Sequence, residues 1–256
     1  MRGRCVSYAT AHLFLNQITR MASTLKDEAA SFGITLSDAQ TAAFEAYHQA
    51  LIGWNSHTNL TAITDEDGVR VRHFLDSLSI AKVDPLAAGS RVIDVGTGAG
   101  FPGLPLKIAF PDLQVTLLEA TGKKIAFLDH VIQTLDLHGV RTVNARAEDA
   151  GQMPTHRAKY DLVLARAVAR LPILLEYLLP LAKIGGRCIA MKGKTAHEES
   201  DVSDKALRAL GGKLREIVPI TLPGVDEAHF LVVVEKTETT PRQYPRKPGI
   251  PAKKPL

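Results

Sequence analysis

Val92-Ile93-Asp94-Val95-Gly96-Thr97-Gly98-Ala99-Gly100-Phe101-Pro102-Gly103 is the stretch that decides the fold. An apolar run ends in three alternating glycines, and a helical pattern follows at once. Strand, glycine turn and helix in that order form the first turn of a nucleotide-binding α/β unit. Two patterns overlap here. Gly98, Gly100 and Gly103 satisfy G-x-G-x-x-G, which is weak alone. Asp94, Gly96, Gly98 and Gly100 satisfy an acid-x-Gly-x-Gly-x-Gly turn. Glycines let the backbone turn sharply and pass close to a ligand. A carboxylate at Asp94, at the strand's end, can accept from a ligand ammonium or from the amides of the turn.

Downstream, strand and helix patterns alternate. Strands are predicted at residues 91–95, 114–119, 140–145, 160–165, 187–192, 213–222 and 229–236. Helices are predicted from the turn to about 109, and over 123–137, 171–182 and 198–210. No helix separates the last two strands, so they form an antiparallel hairpin at one edge of a parallel sheet. A dinucleotide domain has six parallel strands. Seven with a terminal hairpin is the plan of class I (Rossmann-like) S-adenosylmethionine-dependent methyltransferases, an α/β class, and the acid-and-glycine turn is typical of them. Glu119 ends the second strand, where either cofactor's ribose would be gripped by a carboxylate. Ala147-Glu148-Asp149, after the third strand, fits an adenine-edge contact.

Upstream, residues 22–82 read as a helical segment. Ser37-Asp38-Ala39-Gln40 is a capping box. Phe44, Tyr47, Leu51 and Trp54 then share one helix face. A second helix sets Val71, Leu75 and Leu78 on one face and Arg70, His73 and Ser77 on another. Residues 1–21 form a basic, acid-free extension without a secretory core, read as a mis-started or untidy end. The methyltransferase domain is expected over 83–236, and a basic, proline-rich tail over 237–256.

The 256 residues are 45% hydrophobic and 23% charged, which excludes a disordered chain or a fibre. No stretch reaches the roughly 18 apolar residues of a membrane span. Cys5 and Cys188 are too few for a disulfide framework and read as reduced thiols of a cytoplasmic protein. The formal charge of +4 sits in the tail, where Arg242, Arg246, Lys247, Lys253 and Lys254 face only Glu238. Five of the fourteen prolines lie there too, so the tail reads as an extended, mobile cationic arm. Such an arm either solubilises the chain or seeks phosphate.

Several motifs then occur in order: Trp54-Asn55, Asn59-Leu60-Thr61, Arg72-His73-Phe74-Leu75-Asp76-Ser77, the glycine turn, Ala165-Arg166-Ala167, Met191-Lys192-Gly193 and Tyr244-Pro245-Arg246-Lys247-Pro248-Gly249. With them the chain resembles the RsmG family, also called GidB, over about residues 22–256. These are bacterial small-subunit rRNA methyltransferases that modify a guanine N7 in the decoding-region loop of 16S rRNA. The resemblance implies S-adenosyl-L-methionine as cofactor, held at Gly96, Phe101, Glu119, Ala120, Thr121, Ala147, Glu148 and Arg166. It implies 16S rRNA as partner, within the small subunit or an assembly intermediate, and neither metal nor membrane. Arg166, His73 and Lys192 are candidate substrate contacts, and no general base is expected. Two departures stand out: residues 1–20 have no counterpart, and Glu119-Ala120 stands where many members have Asp-Ser. The rival readings are an NAD-dependent reductase and a non-catalytic RNA-binding module.

Overall fold

The structure, a computed structural model, describes residues 24–256; the expected extension over 1–21 and Cys5 lie outside them. Thr24 caps α1 (Leu25–Ala30) and Ser37 caps α2 (Asp38–Thr58), each through a reciprocal capping box. Such a box satisfies amides that a helix start leaves orphaned. Along α2, Phe44, Tyr47 and Leu51 are buried and Trp54 is half-buried, as their spacing predicts. Gln40 of the cap also donates to the carbonyls of Ile108 and Ala109, 2.9 Å each. This fastens α2 to the helix that follows the glycine turn.

The next helical run departs from expectation. A π-helix at Val69–Leu75 lies between α-turns at Glu66–Gly68 and Asp76–Leu78. A π turn is wider than an α turn, so the side chains no longer divide into two faces. His73 and Ser77 are buried along with Val71, Leu75 and Leu78.

Seven strands follow: β1 (Arg91–Val95), β2 (Gln114–Glu119), β3 (Val140–Asn144), β4 (Tyr160–Arg166), β5 (Ala182–Lys192), β6 (Gly212–Ile220) and β7 (His229–Lys236). Their order is β3-β2-β1-β4-β5-β7-β6. Strand β7 runs antiparallel to β5 and β6, and the other pairs are parallel. The strand order reverses between β1 and β4, the crevice where open α/β sheets bind ligands. The glycine turn leaves β1 and Arg166 ends β4 at that crevice.

The helices between are α3 (Gly103–Ala109), α4 (Gly122–Thr134), α5 (Ala147–Ala150), α6 (Leu171–Leu178), α7 (Ala196–Asp201) and α8 (Asp204–Leu210). Two boundaries differ from the sequence reading. Helix α6 stops at Leu178, and Gly185-Gly186 lie inside β5 instead of before it. A Cβ on Gly186 would stand within 2.9–3.0 Å of three carbonyls, so glycine is needed where the ladder shifts register. The single helix expected over 198–210 breaks between α7 and α8, where the Ser203 hydroxyl donates to the carbonyl of Glu199 at 2.6 Å.

One apolar layer joins α1, α2, the π-helix, α3 and α4 to the sheet, so the N-terminal segment has no core of its own. A second layer joins α6 and α8 to the sheet's other face. The tail packs on this second layer and is not a mobile arm. Tyr244 and Leu256 lie against it, and Ile250–Lys253 forms a short helix, α9. Arg246 forks onto Glu176 of α6, which is fully buried, with contacts of 2.5 and 2.8 Å. Arg157 donates to the carbonyls of Thr240, Pro241 and Tyr244. Proline keeps the tail out of a ladder, but it does not stop carbonyls from accepting or a guanidinium from pairing.

Candidate functional site

The turn after β1 holds three residues that only glycine tolerates well. Gly96, Gly98 and Gly100 have φ of +67°, +61° and +98°, the left-handed region. Their surroundings differ. A Cβ on Gly100 would stand 2.6 Å from the Tyr47 hydroxyl and press on Leu104. One on Gly103 would stand 2.6 Å from Leu117. One on Gly98 would meet nothing nearer than the Gly96 carbonyl at 4.0 Å. One on Gly96 would meet only Val168, at 2.8 Å. The Tyr47 hydroxyl, from α2, donates to the Ala99 carbonyl and props the turn from below.

Asp94 is fully buried at the end of β1. Its Oδ2 accepts from the Gly103 amide at 2.9 Å and from the Thr97 hydroxyl at 2.5 Å. Its Oδ1 is buried and finds no partner among the described residues. Burial pushes its pKa up to about 6, against the pull of those two donors. Glu119, at the end of β2, accepts from the Gly98 amide at 3.1 Å and the Thr121 amide at 2.8 Å. Ala120 and Thr121 are exposed beside it. Ala147 is half-buried at the start of α5. The neighbouring Glu148 carboxylate is buried and accepts from the Gly249 amide at 3.0 Å, so only its backbone is left to face a ligand.

Arg166 links the turn to the π-helix. Its guanidinium lies 4.9 Å over the Phe101 ring. It donates to the Arg72 carbonyl at 2.9 Å, to Asp76 at 3.2 Å and to His73 Nδ1 at 3.2 Å. Nδ1 of His73 also lies 3.1 Å from the Arg72 carbonyl, and its Nε2 lies 2.8 Å from the Thr61 hydroxyl. His73 also stacks on Phe101, with centroids 4.5 Å apart. Burial first, and the Arg166 charge second, push its pKa down to about 4. It is neutral at pH 7.

Beyond Arg166 opens a cavity of about 830 Å³, away from the glycine turn. Its walls include Arg72, His73, Arg166, Lys192, Glu227 and His229. Arg72 and Glu227 pair across its exposed rim at 3.2 Å. His229 lies 3.3 Å from the carboxylate of Asp76. Lys192 is directed inward: its ammonium meets buried Glu199 at 2.6 Å and the Ala169 carbonyl at 2.9 Å. Its charge is therefore largely neutralised within the protein.

A family model described as rRNA small subunit methyltransferase G, GidB, matches residues 40–224. The chain belongs to that family. Relatives bearing the same description include one from Leuconostoc mesenteroides, 50% identical over 88% of this chain and 95% of its own. Another, from Alkaliphilus metalliredigens, is 49% identical over 91% and 97%. A solved S-adenosylmethionine-dependent methyltransferase from Aquifex aeolicus covers 68% of this chain and 94% of its own, with a TM-score of 0.51 at 18% identity. That likeness concerns the fold, which is the methyltransferase one expected.

The structure gathers the family's residues into two groups. Asp94, Gly96, Gly98, Glu119, Ala120 and Thr121 surround the open side of the turn, with Ala147 across the end of β3. Arg166 and His73 stand at the border with the cavity. Gly100 and the Phe101 ring are buried beneath, as supports. Sequence reasoning missed Tyr47, Val168, Asp76 and His229. Asp76 lay within a quoted motif and could have been found there. Tyr47 was read only as part of an apolar face, and nothing in the sequence marks Val168. Among the described residues no cluster of three or more potential ligands could hold a metal ion. No described helix is long and apolar enough to cross a membrane.

Proposed function

We propose that this chain transfers a methyl group from S-adenosyl-L-methionine to N7 of a guanine in the decoding-region loop of 16S rRNA. One observation carries the reading. An open-faced glycine turn and a cavity with ample room for a nucleobase meet at Arg166, in a chain half identical to rRNA small subunit methyltransferases G. The residues fit the cofactor. Asp94 Oδ1 is a buried acceptor without a protein partner, and a Cβ-sized space lies open at Gly98. Gly96, Gly98 and Asp94 would hold the amino-acid end. Glu119 would grip the ribose, with Ala120 and Thr121 beside it. Ala147 and the Glu148 backbone would meet adenine. When bound, the cofactor supplies an electrophilic methyl group.

The rest is positioning. Guanine N7 carries an in-plane lone pair at neutral pH, so the chain supplies no general base. Neutral His73 agrees with this, because its Nδ1 already faces Arg166 and the Arg72 carbonyl and its Nε2 faces the Thr61 hydroxyl. Holding base and donor in line can supply several kcal/mol of the barrier by proximity and orientation alone. Arg166 uses three of its five N–H donors within the protein. The remaining two can donate to O6, the acceptor next to N7 on the guanine edge. His73, Asp76 and Phe101 hold that guanidinium in place. Lys192 shapes the cavity wall through Glu199.

The test is methyl transfer to small ribosomal subunits lacking the modification, with naked 16S rRNA as a second arm. Wild-type protein should label one guanine. Arg166→Ala should lower the rate about 100-fold, as losing one transition-state donor does. Arg166→Lys should not restore it, because an ammonium lacks the planar fork. Failure of the wild type to label either substrate would refute the reading. Full activity in Arg166→Ala would remove that residue from the chemistry.

A further inference from the structure

The adenine corner of the proposed cofactor site rests on α5, an element poorly able to hold itself. It is one turn long, and its N-cap Arg146 makes no side-chain capping bond. Isolated helices far longer than this are marginal in water, so α5 must be fixed from outside.

The C-terminal tail fixes it. The Gly249 amide donates to Glu148 of α5 at 3.0 Å. Gln152, just beyond α5, donates to the Pro245 carbonyl at 2.7 Å. Arg157 bridges the two segments, donating to the Gly151 carbonyl at 2.8 Å and to those of Tyr244 and Thr240 at 2.7 and 2.8 Å. Packing is close as well: a Cβ on Gly151 would stand 2.7 Å from Pro245 Cγ. The tail is itself fastened where Arg246 forks onto buried Glu176, and the Arg246 amide adds a bond of 2.8 Å to the same carboxylate.

We infer that the tail is a positioning element for cofactor binding: residues 240–251 hold α5 where the backbone of Ala147 and Glu148 meets adenine. Pro245, Arg246 and Arg157 thus set cofactor affinity without touching the cofactor. This rests on the S-adenosylmethionine reading above. It also reassigns the basic tail, whose formal excess charge suggests a phosphate-seeking arm, to the cofactor half of the reaction.

Gly151→Ala tests this with little collateral change. Gly151 has φ of −64° and ψ of −17°, which alanine adopts freely, so the added methyl acts first on Pro245, at 2.7 Å, and more lightly on the Ala147 carbonyl of α5, at 3.3 Å. Calorimetric Kd is measured for S-adenosylmethionine and for 5′-methylthioadenosine, which keeps the adenine and lacks the amino-acid end. In Gly151→Ala both affinities should fall by the same factor, about five-fold or more, with Tm within a few degrees of wild type. In Arg246→Ala the fall should be larger, and Arg246→Lys should restore only part of it. Unchanged affinity in both alanine variants, whatever happens to Tm, would overturn the inference. So would a loss seen with S-adenosylmethionine and not with 5′-methylthioadenosine, since it would place the effect at the glycine turn. A wild type that binds neither compound would remove the cofactor reading itself, and this inference with it.

Discussion

The two halves of the glycine turn are alike in sequence and opposite in surroundings. Gly100 and Gly103 are glycine because protein fills the space: Tyr47 and Leu104 at one, Leu117 and Asp94 at the other. Gly98 is glycine with that space left open, and Gly96 has only the half-exposed Val168 over it. The same residue type thus serves packing below and access above. A G-x-G pattern alone cannot tell these apart, because Gly96, Gly98 and Gly100 all demand positive φ.

Substitution should separate the halves. Gly100→Ala combines a strained φ with a clash against Tyr47. The strain costs about 1–3 kcal/mol and overpacking about 1–3 more. Thermal unfolding should therefore show a loss of about 2–6 kcal/mol, or no folded protein. A loss under about 1 kcal/mol would mean that α2 yields easily and the packed half is not packed.

The packed half continues upward through Phe101 to His73. His73 binds its proton near pH 4 when folded and near 6.5 when unfolded. The unfolded chain therefore takes the proton first on acidification, and the stability present above 6.5 is lost as pH falls towards 4. From pH 7 to 5 that loss is about 2 kcal/mol. His73→Gln lacks this proton, so the stability gap between wild type and variant should narrow by about that amount in urea melts. Asp94 acts oppositely, since its raised pKa favours the folded state on acidification. It is present in both proteins and cancels. A gap independent of pH would show His73 to be less buried than the stack on Phe101 implies.

The open half should give the smallest change in stability. Gly98→Ala costs about 1–2 kcal/mol for a left-handed alanine. It should weaken S-adenosylmethionine binding about ten-fold by filling space meant for ligand. Calorimetry showing full affinity would contradict the assignment of that space.

The strands and the glycine turn were readable because their signals are local. Alternation, apolar runs, glycine and capping residues act within a few positions of one another. Glu119 was readable as a strand-end carboxylate, and the structure adds that it holds the Gly98 amide. The π-helix was hidden, since a wider turn leaves no distinct periodicity and moves His73 and Ser77 inward. The tail was misread for a similar reason. Charge and proline content describe a segment by itself, whereas Arg246 meets Glu176 across 70 positions. The partner of Lys192, a candidate substrate contact by sequence, was hidden likewise, because Glu199 lies on a separate helix.

The Arg246–Glu176 pair also bears on how the chain is made. Glu176 is fully buried, and the cation that meets it is made 70 residues later. A buried carboxylate without its partner costs about 3–5 kcal/mol. Until Arg246 has emerged, the Glu176 carboxylate must keep its water, so this corner of α6 cannot close. Domains fold as they are synthesised, N-terminal parts first, but the corner around Glu176 closes only once Arg246 is present. A product cut short before Arg246 would keep every strand and still leave the Glu176 corner open to water.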